Sequence, residues 1–340
     1  MDKKKSIILS CSIIFIIGLT VFLWINLTKD KNCSDGTLIN TCSNVKPYYC
    51  EKGKLVEKAS VCNCQEDSII NGESCSSKYS IEPKEINLTY YLNGKEKEIN
   101  FTLYKGAYDY LAGLSSSINE TESPTLLDFR LKNLDNKIQM QFLYPLLIKI
   151  QEITPNKDDQ MRIAISLVQN IEFGESNKTK RIGQDQIPYQ RKAYEILYEG
   201  TGVCSEKSEL LIFLLRGLGY NTAFIYYPLE NHEAVGIKCS QEHSLNNTEY
   251  CFIETTGPSI ITDDKTEYLG NSKLNSVPKI IQISQGKSLN DNVREIKDAI
   301  TLMKIREKMK EKGQINFIEY FQFKKIKSRY GLPEFSNYKF

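Results

Sequence analysis

The sequence predicts an α+β chain in which a cysteine-bearing helix packs on an antiparallel sheet. A transmembrane helix, a small disulfide-rich module and a β-hairpin/helical region precede that unit. Three observations carry this reading. Gly200 and Gly202 bracket a turn that delivers Cys204 into the apolar run 210–215, and Gly217 and Gly219 close the helix. Segments rich in β-branched and aromatic residues follow at 220–228, 232–237 and 250–256. Earlier, Asn93-Gly94 separates two alternating stretches, 86–92 and 96–104, which is a strong hairpin signal.

Bulk properties narrow the function classes. The 340 residues are 41% hydrophobic and 25% charged, enough for a sizeable core and more than one module. Lys and Arg number 44 against 42 Asp and Glu, a net charge of +2. That balance argues against nucleic acid as a partner, because a phosphate-tracking surface needs a basic excess. Only His232 and His243 are present, so a histidine-rich catalytic metal site is not expected. No calcium, nucleotide or flavin motif is visible, and no cofactor is expected.

Taken in order, 1–5 is a basic cytoplasmic tail with Lys3, Lys4 and Lys5. The 23 residues 6–28 carry no charge, enough to span a bilayer as a helix. The flanking lysines predict a cytoplasmic N-terminus, with the rest of the chain outside the cell membrane. No small-x-small cleavage site follows the run, so an anchor is expected rather than a cleaved signal peptide. Cys11 reads as a small apolar filler within the span. The segment 29–79 holds Cys33, Cys42, Cys50, Cys62, Cys64 and Cys75 within 43 residues. Outside a membrane this reads as three disulfides, whose connectivity the spacing leaves open among 15 pairings. Cys62-Asn63-Cys64 is not a zinc knuckle spacing. Asn-x-Ser/Thr triplets at Asn26, Asn87, Asn100, Asn119, Asn177 and Asn246 permit glycans.

Residues 80–155 are expected to form the hairpin and then helices over 106–115, 125–133 and 136–152, the last kinked or split at Pro145. Asn156 caps a further helix whose apolar positions include Met161, Ile165 and Val168. A polar loop over 174–190 and a short helix over 189–198 lead to the cysteine turn. An upstream side chain that holds a developing oxyanion is sought here. Gln190 is preferred, with Tyr189, Gln184 and Gln186 as competitors. Residues 156–285 form the catalytic unit, with a strand near 279–283. The region 286–340 carries amphipathic helices broken at Gly313, which cover the domain or touch lipid headgroups.

The chemistry rests on Cys204, His232 and Glu254. A thiolate is favoured at a helix start, where free N–H groups attract anions. An imidazole must take and return the proton, and an acid must hold the imidazole in the useful tautomer. The block Gly202-Val203-Cys204 with Glu206-Lys207-Ser208, the His232 strand and Glu254-Thr255-Thr256 resemble the transglutaminase-like superfamily of papain-type cysteine enzymes. The resemblance covers about 160–265 and looks closest to membrane-anchored archaeal members. It implies covalent thiol acyl transfer on a peptide or protein substrate, with hydrolysis of peptide or isopeptide bonds as the expected outcome. A protein-crosslinking transamidase and a non-catalytic surface binding protein on a papain-like scaffold are the alternatives. The superfamily usually has Asp as the third residue. This chain has Glu254, which leaves Asp263 and Asp264 as competitors for the role.

Strand parity adds a conflict. If the two strands pair antiparallel, His232, Glu254, Cys239 and Cys251 share one face. Yet the register that faces His232 with Glu254 differs from the one that faces Cys239 with Cys251. A regular ladder therefore cannot set both pairs directly opposite, and a Cys239–Cys251 bridge is left open.

Overall fold

A computed structural model describes residues 32–66, 68–114, 125–182, 185–264 and 274–333. The predicted anchor at 6–28 lies outside the described residues. Among the described residues, no helix is long and apolar enough to cross a membrane.

Among the described residues, the first elements are the hairpin β1 (Tyr48–Glu51) and β2 (Lys54–Glu57), the turn of helix α1 (Ala59–Cys62), and the hairpin β3 (Ser68–Asn71) and β4 (Ser74–Ser77). Three disulfides staple this module: Cys33–Cys50, Cys42–Cys62 and Cys64–Cys75. It is not a free-standing bead. Cys33, Val45, Tyr48, Cys50 and Leu55 are buried in the same apolar cluster as the rest of the chain, and the Tyr48 ring stacks on Tyr144 at 5.5 Å.

The long hairpin follows as β5 (Pro83–Leu92) and β6 (Lys95–Tyr104), with Leu92 paired to Lys95. Asn93 and Gly94 have φ of 57° and 77°. Two consecutive left-handed residues make the tight turn whose twist matches the strands, as the sequence implied. Helices α2 (Lys105–Gly113), α3 (Leu126–Leu134), α4 (Lys137–Ile153) and α5 (Lys157–Gln169) come next. Thr125, Asn136 and Asn156 cap α3, α4 and α5 with their side-chain oxygens. Of the two outcomes expected at Pro145, the split does not occur: α4 runs as one helix from Lys137 to Ile153. Leu143, Leu146 and Leu147 around the proline are fully buried, and tertiary packing outweighs one lost backbone hydrogen bond.

After α5 come β7 (Glu172–Phe173), β8 (Thr179–Ile182), β9 (Asp185–Pro188), α6 (Ala193–Glu199) and β10 (Thr201–Gly202). The stretch expected to be a loop thus contains a short antiparallel hairpin, β8–β9. Helix α7 (Cys204–Gly217) leads to β11 (Thr222–Tyr227), β12 (His232–Lys238), β13 (Tyr250–Ile253) and β14 (Lys279–Gln282). These strands form one antiparallel sheet in the order β13-β12-β11-β14. Helices α8 (Arg294–Lys312) and α9 (Phe317–Tyr330) finish the described chain, separated by Gly313 at φ 68°.

The core lies around α7. Every residue from Glu206 to Leu215 is buried, because α7 packs against β11, β12, α3, α5 and α6 at once. A helix apolar on all sides belongs in a core. The charged residues 206, 207 and 209 on it therefore need partners, and those partners define the site.

Candidate active site

Cys204 opens α7 at its first turn and is half-buried; among the described residues it is the one free cysteine. Glu206 three positions from the cap accepts the Val203 N–H at 3.0 Å, which satisfies one backbone donor of the helix start. The same carboxylate binds Arg191, whose guanidinium reaches it at 2.7 to 3.2 Å and whose backbone N–H adds a bond of 2.6 Å. Arg191 is 1% exposed and also binds Glu199 at 2.9 Å and Thr201 at 3.0 Å. One buried guanidinium thus ties the approach to Cys204 onto the helix that carries it.

His232 starts β12 and is 1% exposed. Its Nε2 lies 2.9 Å from Glu254 Oε2. Cys204 lies close enough to the same ring to raise its pKa. Burial by itself lowers the imidazole pKa, but the contacts with Cys204 and Glu254 outweigh it and raise the value to about 9. The ring is therefore held as imidazolium at neutral pH.

Glu254 follows β13 directly and is 2% exposed. Its second oxygen, Oε1, accepts three bonds of 2.9 Å, from Thr255 N, Thr256 N and Thr256 Oγ1. Burial opposes ionisation here, yet His232 and the Thr256 donors hold the carboxyl below its ordinary range. The turn is anchored from two sides. Gln169 Nε2 donates to Glu254 O at 2.8 Å and to Ser259 Oγ at 3.1 Å. Thr255 Oγ1 reaches Ser208 Oγ at 3.1 Å and Cys204 O at 3.4 Å. Asp263 does not compete for the histidine, since its carboxylate is taken by Arg306 of α8; Asp264 follows it in the same turn.

The structure therefore brings Cys204, His232 and Glu254 together, with hydrogen bonds radiating from the acid. Gln190 is not brought in: it is exposed, and among the described residues no hydrogen bond holds its side chain. Tyr189 is buried with its hydroxyl on both Glu195 oxygens at 3.0 and 2.9 Å. Gln184 and the side chain of Gln186 lie outside the described residues. Between the buried Tyr189 and Arg191, the Gln190 side chain faces solvent.

No protein-family profile, curated protein or solved structure matches this chain. The likeness quoted above rests on the residues alone.

The conflict between the two strand registers resolves by compromise. The ladder pairs Val235 with Ile253 and Ile237 with Cys251, which is midway between the two registers. Both side-chain pairs then form on the diagonal. Cys239 and Cys251 are disulfide-bonded with Cα atoms 5.8 Å apart, and His232 meets Glu254 beyond the strand end.

Three buried groups escaped the sequence reading. Lys207 is fully buried one turn after Cys204. Glu209 and Glu233 are buried beside Arg130 of α3, which pairs with Glu233 and stacks over the Phe224 ring at 4.7 Å. Burial raises the Glu233 carboxyl to about 7, with Arg130 opposing and Glu209 assisting. The one available signal was charge inside an otherwise apolar helix. Among the described residues, no group of three or more His, Cys, Asp or Glu side chains is placed to hold a metal ion.

Proposed function

We propose that this chain is a membrane-anchored, extracytoplasmic thiol acyl-transfer enzyme, a cysteine peptidase or amidase acting on peptide or isopeptide bonds. Its catalytic unit, about 156–285, is papain/transglutaminase-like in architecture, with α7 on the antiparallel sheet. The 6–28 run anchors it with the N-terminus in the cytoplasm, and the four disulfides accord with an oxidising space outside. The observation that carries this reading is a half-exposed helix-start thiol beside an imidazole that is itself held by a buried carboxylate at 2.9 Å.

The Cys204 thiolate attacks the substrate carbonyl carbon. The C–N bond breaks as His232 passes its proton to the leaving amine, and a thioester forms. Water then attacks the thioester while His232 takes its proton, and the C–S bond breaks to return the thiolate. Glu254 stays ionised throughout and holds the ring. The Cys204 N–H, which helix geometry leaves without an intrahelical acceptor, serves the developing oxyanion in place of a side chain.

The test is release of new amino termini from a peptide and isopeptide panel by the membrane-embedded full chain, with labelled-amine incorporation run in parallel. Wild type is expected to hydrolyse and Cys204→Ser to be inert and folded. Undiminished turnover by Cys204→Ser overturns the proposal, and amine incorporation without hydrolysis replaces it by transamidation.

A further inference from the structure

We propose that Lys207 is a positioning residue of this site: its buried ammonium holds the 254–256 turn against helix α7 and supplies the positive charge that accompanies Glu254 when His232 gives up its proton. The proposal rests on the triad reading and deepens it.

Lys207 is 0% exposed. Its Nζ donates to Ile171 O at 2.6 Å, Thr256 O at 3.2 Å and Gln169 O at 3.4 Å. All three acceptors are neutral carbonyls. A buried ammonium is costly in such surroundings, and an apolar side chain of similar volume would fill the place more stably. The acids on its own helix are turned elsewhere, Glu206 to Arg191 and Glu209 to Asn133 and Arg130. From the facing elements, the charged group that acts on it is Glu254. Burial lowers the ammonium pKa and Glu254 partly offsets it, leaving a value of about 8, so Lys207 is charged at neutral pH.

Placement gives that charge a target. Cys204, Lys207 and Ser208 stand at helix positions i, i+3 and i+4, which is one face. All three meet the same turn: Thr255 Oγ1 reaches Cys204 O and Ser208 Oγ, and Lys207 holds Thr256 O. Thr256 in turn gives both its N–H and its hydroxyl to Glu254 Oε1. Ammonium and carboxylate are therefore separated by a single residue. Gly202 supplies a second, independent observation. A Cβ there would stand 3.0 Å from Lys207 Cγ and 3.3 Å from Ile196. The glycine two residues before the nucleophile leaves room for the lysine stem, which couples Gly202, Cys204 and Lys207 into one packed unit.

The reaction cycle supplies the reason for the charge. In the resting pair, imidazolium neutralises Glu254. Once the proton has gone to the leaving amine, the buried carboxylate faces a neutral ring, and Lys207 is the remaining cation beside it. Removing Lys207 takes that charge away, so below about pH 8, where the ammonium is present, a proton in the site becomes harder to lose.

The experiment is the pH dependence of Cys204 alkylation by iodoacetate in the full chain, read at the Cys204 peptide by mass spectrometry. The acid limb reports thiol ionisation and the alkaline limb reports loss of the imidazolium that attracts the anionic probe. Lys207→Met is expected to move the acid limb up by about half a pH unit or more, the alkaline limb lying where Lys207 has already lost its own proton. Lys207→Gln, which keeps amide donors but no charge, is expected to do the same and serves if Lys207→Met does not fold. Lys207→Arg is expected to leave the acid limb in place. Gln169→Leu, which loosens the same turn without altering charge, is expected to lower the rate at unshifted limbs. Coincident profiles for wild type and the neutral variants, or equal shifts in Gln169→Leu, overturn the role of Lys207 while leaving the triad. A wild-type profile without two limbs overturns the triad reading itself.

Discussion

His232 Nε2 lies 2.9 Å from Glu254 Oε2 although the two residues are not cross-strand partners. The β12–β13 register, continued past Ile253, sets Glu254 against Ala234 and places His232 two residues further along. A carboxylate must therefore reach diagonally, over more than the direct cross-strand distance. The extra methylene of Glu spans that offset, which gives a physical reason for Glu where the resembled superfamily usually has Asp.

Glu254→Asp is accordingly expected to lose either the imidazole contact or the bonds from Thr255 and Thr256, and to slow Cys204 alkylation about tenfold or more at neutral pH. Glu254→Gln keeps the reach and removes the charge, so the alkaline limb should move to lower pH as the imidazolium loses its counter-ion. Site-resolved alkylation rates distinguish the two. An Asp variant as reactive as wild type would refute the diagonal-reach argument.

The same pair makes stability depend on pH with a defined sign. His232 is raised from 6.5 to about 9, so its contribution is complete below about 6.5 and disappears as pH rises through 9. Glu254 is lowered, so its contribution is present above the ordinary carboxylate range and is lost on acidification through its depressed value. The stability difference between wild type and His232→Gln should therefore be largest near pH 6 and shrink by roughly 2–3 kcal/mol at pH 10. Urea unfolding at the two pH values measures it.

Arg191 and Glu206 form a pair in which neither side chain is more than 2% exposed. Removing one partner strands the other charge in the core, so Arg191→Met is expected to cost about 3–5 kcal/mol. The loss should appear as a lower urea midpoint together with slower alkylation of Cys204, since the same guanidinium positions the turn before it.

The Cys239–Cys251 bridge closes a short loop at the far end of the β12–β13 ladder from His232. Replacing both cysteines by serine is expected to lower stability by about 3 kcal/mol. Four ladder pairs lie between Val235 and Lys238, so the Cys204 alkylation rate should change by less than about threefold, within the effect of one weak interaction. A collapse of reactivity in the folded double variant would show that the bridge, rather than the ladder, sets the triad.

Local features were legible because they are encoded locally. The Asn93-Gly94 turn, the caps at Asn136 and Asn156 and the break at Gly313 each follow from residues within a few positions of one another. Cys204, His232 and Glu254 were visible as residue types at the starts and ends of predicted elements. The disulfide partners were not visible, because spacing admits many pairings and only the packed module selects Cys33–Cys50, Cys42–Cys62 and Cys64–Cys75. That Gln190 is exposed was not legible either, because loop position does not reveal which way a side chain faces.

By itself, then, the sequence determined the long hairpin, most of the helices and the strands that follow Cys204, since turn residues and hydrophobic periodicity act over a few positions. The tertiary structure alone decided the register between β12 and β13, the diagonal meeting of His232 with Glu254 and the burial of Lys207 and Arg191. Those depend on contacts between residues far apart in the chain, where the alternatives differ by side-chain packing and buried charge rather than by any local preference.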